Sequence, residues 1–203
     1  MSPRSRGRKM PPKRKKPDGP APIRRLKVSP RGARPPIWRR LEVPADTSLA
    51  ALHGILPIAF GWADGHPHAF ETPFGDFGVA DPELGHRSEK PVTLEQVAPD
   101  PGDKIRYTYD FGDDWDHEIL VEKVLERQDV AHPRCTGGRR AAPPDDCGGI
   151  GSHHDLVEVI ADPDHPEHHA RLEWLGLDSA AGFKPDRFST ADVTEVLIAG
   201  RHR

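Results

Sequence analysis

Residues 104–125 read KIRYTYDFGDDWDHEILVEKVL, and this stretch decides the fold. Ile105, Tyr107, Tyr109 and Phe111 alternate along its first half, the period of a half-buried strand. Gly112, Asp113 and Asp114 follow, residue types that favour tight turns. Asp116 to Leu125 then supplies a second strand, with Ile119, Val121 and Lys123 on one side and His117, Leu120 and Val124 less regularly on the other. Two such strands joined by a short Gly/Asp turn form an antiparallel hairpin, and Trp115 with Phe111 is expected to anchor it.

Outward from the hairpin, the upstream sequence adds strands at Ile23–Val28 and Ile37–Val43, separated by a Pro/Gly turn region. Asp46, Thr47 or Ser48 caps a helix whose apolar face is Leu49, Leu52, Ile55, Leu56 and Ala59. Pro57 is expected to kink or end this helix, and Gly61 to stop it. His66, His68 and Phe70 alternate as a short strand, and residues 72–79 as another. Residues 80–92 read as a loop, and 92–97 as one helical turn. Downstream, 129–152 reads as a loop. Helices follow at 155–161, 167–175 and 192–199, the last capped near Ser189-Thr190. Strands come first and helices last, so the class is α+β: a mixed or antiparallel sheet with helices packed on it and a mostly helical C-terminal part. No internal repeat marks a solenoid.

Charge divides the chain. The first 34 residues hold 13 of its 29 Lys and Arg and one acid, Asp18, for a net +12; the remainder is at −15. Residues 1–22 are basic and rich in Pro and Gly, with Met10 (also an available start) their one sizeable apolar side chain. Such a segment is expected to be a disordered tail able to contact nucleic acid without sequence specificity. Residues 23–200 are expected to form a single domain. Two cysteines at C-x11-C spacing exclude a disulfide framework and a zinc ribbon, and favour a cytoplasmic protein. No apolar run approaches the roughly 18 residues of a membrane span, and no apolar segment marks a secretory signal at the N-terminus.

Several constellations bear on chemistry. Asp110, Asp113, Asp114, Asp116 and Glu118 crowd around the hairpin turn, beside His117. Mutual repulsion there is relieved by a cation, by basic neighbours, or by turn geometry in which aspartates cap backbone amides. His66 and His68, at i and i+2 of a strand, share a face and suit one ion; hydrogen-bonded histidines fit the same spacing. His66, His68, Asp110, Asp116 and His117 are thus the candidate metal ligands, and a divalent metal ion is the cofactor they would take. Trp38, Arg39, Arg40, His53, Trp62, Asp113 and Trp115 are the candidate binding residues. Trp38 with Arg39 and Arg40 fits a nucleic-acid reader, but in so acidic a body the arginines are better read as neutralising the 110–118 turn. Pro143–Gly149, PPDDCGG, reads as a helix cap, with Asp145 and Asp146 able to cap or bind cations. No Walker-type Lys or Ser/Thr follows it.

The chain resembles the plasmid pRiA4b ORF-3-like proteins. The resemblance rests on PPIWRRLEVP at 35–44, Leu52-His53, FGWADGHPHAF at 60–70, YTYDFGDDWDHEI at 107–119, PPDDCGG at 143–149, DPDHPEH at 162–168 and FKPDRF at 183–188. It departs from the usual pattern at Arg139 and Ala142, where an acid and a cysteine are common, and at Ser152-His153, where a Gly-Tyr pair is. The resemblance implies an α+β fold and a bacterial, mobile-element or plasmid setting, with no established reaction. Two functions are expected from it and from the residues. One is a non-catalytic accessory protein with a protein partner and a nucleic-acid-contacting tail. The other is a metal-dependent hydrolase using the His/Asp cluster.

Overall fold

The computed structural model describes residues 9–12 and 19–200. The disordered reading of the tail falls mainly on 1–8 and 13–18, outside the described residues. Residues 9–12 lie along the body, where Gln96 Nε2 donates to the Pro12 carbonyl (3.2 Å) and Pro11 is buried.

The hairpin forms the centre of an eight-stranded sheet. Its strands are β1 (Ile23–Pro30), β2 (Trp38–Pro44), β3 (His68–Thr72), β4 (Gly75–Gly78), β5 (Arg87–Ser88), β6 (Lys104–Tyr109), β7 (Trp115–Leu125) and β8 (Arg134–Arg139). The order is β5-β4-β3-β6-β7-β1-β2-β8, antiparallel except for the β4–β5 pair. The helices are α1 (Leu49–Phe60), α2 (Leu94–Val97), α3 (Gly149–Ala161), α4 (His168–Trp174) and α5 (Thr190–Ala199). The α+β reading therefore holds. Among the described residues no helix is long and apolar enough to cross a membrane.

Alternation assigns the two faces. Ile105, Tyr107 and Tyr109 of β6 and Trp115, His117, Ile119 and Val121 of β7 point inward, onto Leu49, Leu52, Leu56 and Ala59 of α1. His117 thus shares the face of Ile119 and Val121, not the opposite face expected from sequence. Phe111 falls in the turn rather than on β6 and is exposed, so Trp115 anchors the hairpin without it. A second, smaller core joins Leu156 and Ile160 of α3 to Leu172 of α4.

The outer face answers the charge question. Arg106 grips Asp116 through two bonds (2.6 and 2.7 Å), with Arg31 alongside (3.3 Å), and Lys104 meets Glu118 (3.0 Å). Arg40 pairs Glu122, and Arg25 and Arg134 both pair the buried Glu42. Burial alone would raise the Glu42 carboxyl, but the two guanidiniums outweigh it and hold it below its usual range. Apart from those of the buried Glu42, these cross-strand pairs of opposite charge lie on the exposed sheet surface, each contributing only tenths of a kcal/mol up to about 1 kcal/mol. Arg39 and Arg40 do not neutralise the 110–118 turn, because β2 is separated from that hairpin's turn by β1 and β7.

Three local expectations change. Pro57 does not end α1: the helix continues to Phe60, where Gly61 (φ 74) closes it and Ser48 caps the other end. The 129–152 loop contains β8, hidden in sequence by Gly137-Gly138. Glycine is required there, since a Cβ at Gly138 would lie 2.3 Å from the Phe188 ring. Helix α3 starts at Gly149, six residues before the expected start at 155.

Candidate functional site

Three segments meet at one end of the hairpin. The Asp110–Asp114 turn holds Asp110 (φ 54) and Asp114 (φ 52) in the left-handed region, which aspartate tolerates better than most residues. Asp110 Oδ1 accepts from the Gly112 amide (2.9 Å), and the Asp110 amide donates to the Pro67 carbonyl (2.9 Å), tying the turn to the His66–His68 segment. The PPDDCGG loop closes the third side. Trp62 Nε1 donates to the Pro143 carbonyl and the Ala63 amide to Asp145 Oδ2, both at 2.9 Å. The Gly148 amide donates to Asp113 Oδ2 (2.9 Å). Gly149, at φ 82, lets its backbone sit directly against the Asp113 carbonyl.

His66 stands where these segments converge. Its Nδ1 faces Asp110 Oδ2 at 3.4 Å, and its Nε2 faces Asp146 Oδ1 at 3.2 Å. One ligand atom from each of His66, Asp145 and Asp146 lies within 4.8 Å of the others. Asp145 Oδ1 is buried with no protein hydrogen-bond partner. Asp146 is itself left-handed (φ 56) and its side chain is 69% exposed, so the cluster opens to solvent.

The remaining candidates go elsewhere. Successive residues of a strand point to opposite faces, so Asp116 and His117 cannot serve one ion. Asp116 lies on the outer face under Arg106. His117 is in the core, its Nδ1–H donating to the Trp115 carbonyl (2.8 Å). His66 precedes β3 rather than alternating within it, and the two histidines meet different partners. His68 Nε2 meets the buried Glu89 at 2.8 Å, and its ring stacks on His53 with centroids 3.3 Å apart. His53 in turn meets Asp64 through Nε2 (2.9 Å) and the Tyr107 hydroxyl through Nδ1 (2.7 Å). Burial, and then the neighbouring His68, lower the His53 pKa, while Asp64 and Glu89 oppose them. Between the two clusters stands Tyr109, stacked on Trp62 and donating to the Ala63 carbonyl.

Of the candidate binding residues, Trp62 and Asp113 build the His66 site, and Trp115 is core. Arg39 is buried, bonded to the Ala59, Trp38 and Arg139 carbonyls and stacked on Phe60 and Phe188. Trp38 lies under Lys27 and Arg40 on the outer face. Cys135 and Cys147 are free thiols. Sequence reading passed over Asp145 and Asp146 as partners of His66, because their loop also reads as a helix cap. The adjacent acids followed by paired glycines were the available signal.

The segments meeting at His66 belong to three of the blocks that carry the resemblance. A family model described as plasmid pRiA4b ORF-3-like protein matches residues 22–192. The chain belongs to the plasmid pRiA4b ORF-3-like family. Among similar proteins is the uncharacterized protein y4hQ of Sinorhizobium fredii (strain NBRC 101917 / NGR234), 35% identical over 167 residues, covering 79% of this chain and 86% of that protein. A crystal structure of the protein of unknown function MM3350 from Methanosarcina mazei Go1 superposes with a TM-score of 0.75. It is 34% identical and covers 84% of this chain and 97% of that one. The pRiA4b ORF-3-like fold thus extends over most of the described sheet and helices.

Proposed function

We propose that the chain is a divalent-metal-binding protein whose ion is held by His66, Asp145 and Asp146, with Asp110 orienting the imidazole. The observation that supports this most is that the two nitrogens of His66 face different carboxylates. A ligating histidine usually gives its second ring N–H to a carboxylate, which fixes the tautomer. Asp110, itself fixed by the turn, occupies that position on Nδ1, while Asp146 faces Nε2 and Asp145 completes the cluster. One imidazole with carboxylates suits a first-row ion such as Mn²⁺ or Zn²⁺. The exposed Asp146 leaves the ion a solvent-facing side, as a metal-dependent hydrolase requires. The hydrolase reading therefore continues with a changed ligand set, without His68, Asp116 and His117.

Protein purified without a histidine tag is expected to take up one equivalent of Mn²⁺ or Zn²⁺ with a rise in melting temperature. His66→Ala and Asp146→Asn should abolish both. Asp110→Asn should weaken affinity by about 10- to 100-fold, and Asp116→Asn should leave it unchanged. Absence of uptake and of any thermal shift, or equal damage from Asp116→Asn, would sink the proposal.

A second reading is supported by the tail. Residues 1–22 carry eight Lys and Arg against one Asp, ahead of an acidic body. In this reading the chain is a cytoplasmic accessory protein of a plasmid or mobile element, with a protein partner on its body and nucleic acid on its tail. Changing Lys13, Arg14, Lys15 and Lys16 to Gln should then remove most salt-sensitive DNA retention, since each phosphate contact contributes about 0.9 to the log–log salt slope. Retention indistinguishable from wild type at 50 and 200 mM salt (roughly the span over which such binding collapses) would rule the reading out.

A further inference from the structure

Between residues 34–37 and α3 lies a cleft of about 420 Å³, separate from the His66 cluster and within the roughly 300–1,000 Å³ range of small-molecule sites. Its walls at Ile37, Val157 and Pro185 are apolar. Its polar groups are mostly basic: Arg34, Arg140, His153 and His154. Two of them carry buried nitrogens without a protein hydrogen-bond partner, namely Nδ1 of His153, which is only 7% exposed, and Nε of Arg140. Buried polar atoms are nearly always bonded, so each such atom calls for a partner. Arg140 is another non-glycine residue at positive φ (66), and its Nη1 is fixed on Asp186 at 2.7 Å. The Arg34 amide is tied to His154 Nε2 (3.2 Å), holding the guanidinium-bearing residue at the cleft.

We propose that this cleft binds a small organic anion with an apolar body, its carboxylate or phosphate on Arg34 and Arg140 and its hydrocarbon part against Ile37, Val157 and Pro185. Asp186 already offsets part of the Arg140 charge, and Glu158 stands at the rim. The cleft therefore favours a singly charged group, and a carboxylate over a phosphate. His153 remains neutral at physiological pH, because burial, followed by His154 and Arg140, pushes its pKa down to about 4. A neutral imidazole can donate one N–H to the anion without adding charge.

The test is a titration of the full chain with benzoate, phenyl phosphate and the neutral isostere benzamide, followed through the His153 and His154 imidazole resonances. Saturable shifts are expected with benzoate, which should bind at least about tenfold more tightly than benzamide. Arg34→Gln, a change at an exposed residue, should weaken benzoate about tenfold, and Val157→Trp should block it by filling the cleft. Neither variant should alter Mn²⁺ uptake at His66. Tighter binding of phenyl phosphate than of benzoate would assign the anion as a phosphate. No saturation with either anion, benzamide binding as tightly, or benzoate affinity untouched by both variants would overturn the proposal.

Discussion

Gly149→Ala is expected to destabilise the protein by about 3 kcal/mol and to abolish cation binding at His66, although residue 149 is not a ligand. Two effects combine. An alanine at φ 82 sits in a region that L-residues enter at a cost of about 1–2 kcal/mol. The added Cβ would also lie 2.4 Å from the Asp113 carbonyl oxygen, a contact with backbone that no side-chain rotation relieves. The loop would have to lift from the 110–114 turn. That movement would break the Gly148–Asp113 bond and carry Asp145 and Asp146 away from His66. Gly151 provides the control. It lies inside α3 with nothing within 4 Å of a would-be Cβ, so Gly151→Ala should be neutral or stabilise by up to about 1 kcal/mol. Urea midpoints measured beside metal uptake check both. If the two alanines behave alike, close packing of the loop on the turn does not hold the site together.

The contrast between these glycines shows what a sequence can and cannot reveal. The hairpin was legible because Ile105, Tyr107 and Tyr109 alternate on one strand and Ile119 and Val121 on the other, and alternation is a local property. The caps at Ser48 and Gly61 were legible for the same reason. Strand β8 was not, because Gly137 and Gly138 are poor strand formers; Gly138 is accepted where the Phe188 ring leaves no room for a Cβ. The site was half legible. His66 and Asp110 were named, and they do meet, because the Pro67 carbonyl bonds to the turn. Asp145 and Asp146 lie some eighty residues further on, and their approach depends on Gly149 fitting a distant carbonyl. Asp116 and His117 were grouped with the site by proximity in sequence. The two-residue period of the strand had already separated them, one to Arg106 and one to the core. The basic partners of the acidic hairpin were misassigned for a related reason: Arg106 and Arg31 become its neighbours only through β6–β7 and β1–β7 pairing.

His117 should also govern the acid side of the stability curve. It is 1% exposed, and its Nε2 has no protein partner. Burial pushes its pKa down to about 4, with hydrogen bonds to backbone at Trp115 and Tyr107 opposing the shift only in part. A depressed histidine stabilises the fold in its neutral form. Above pH 6.5 both folded and unfolded chains carry it neutral, and its contribution is intact. Between 6.5 and 4 the unfolded chain takes up a proton that the folded chain refuses, so stability falls with falling pH by about 1.4 kcal/mol per unit. From pH 7 to pH 5 this one residue should remove about 2 kcal/mol, a large share of a typical domain's 5–15 kcal/mol. His153, also lowered to about 4, acts in the same direction. The Glu42 contribution disappears only at more acidic pH, as its depressed folded pKa is crossed. Replacing His117 with Phe, within an aromatic surround of Phe60, Trp62 and Tyr107, removes the titration and the unpartnered Nε2 together. The pH 7-to-5 loss in urea-derived stability should shrink by about 2 kcal/mol in His117→Phe, leaving the His153 share. Superimposable pH profiles for the two proteins would show that the core imidazole does not set acid stability. His153→Phe should remove a separate share, and the double variant should flatten the profile further than either single change.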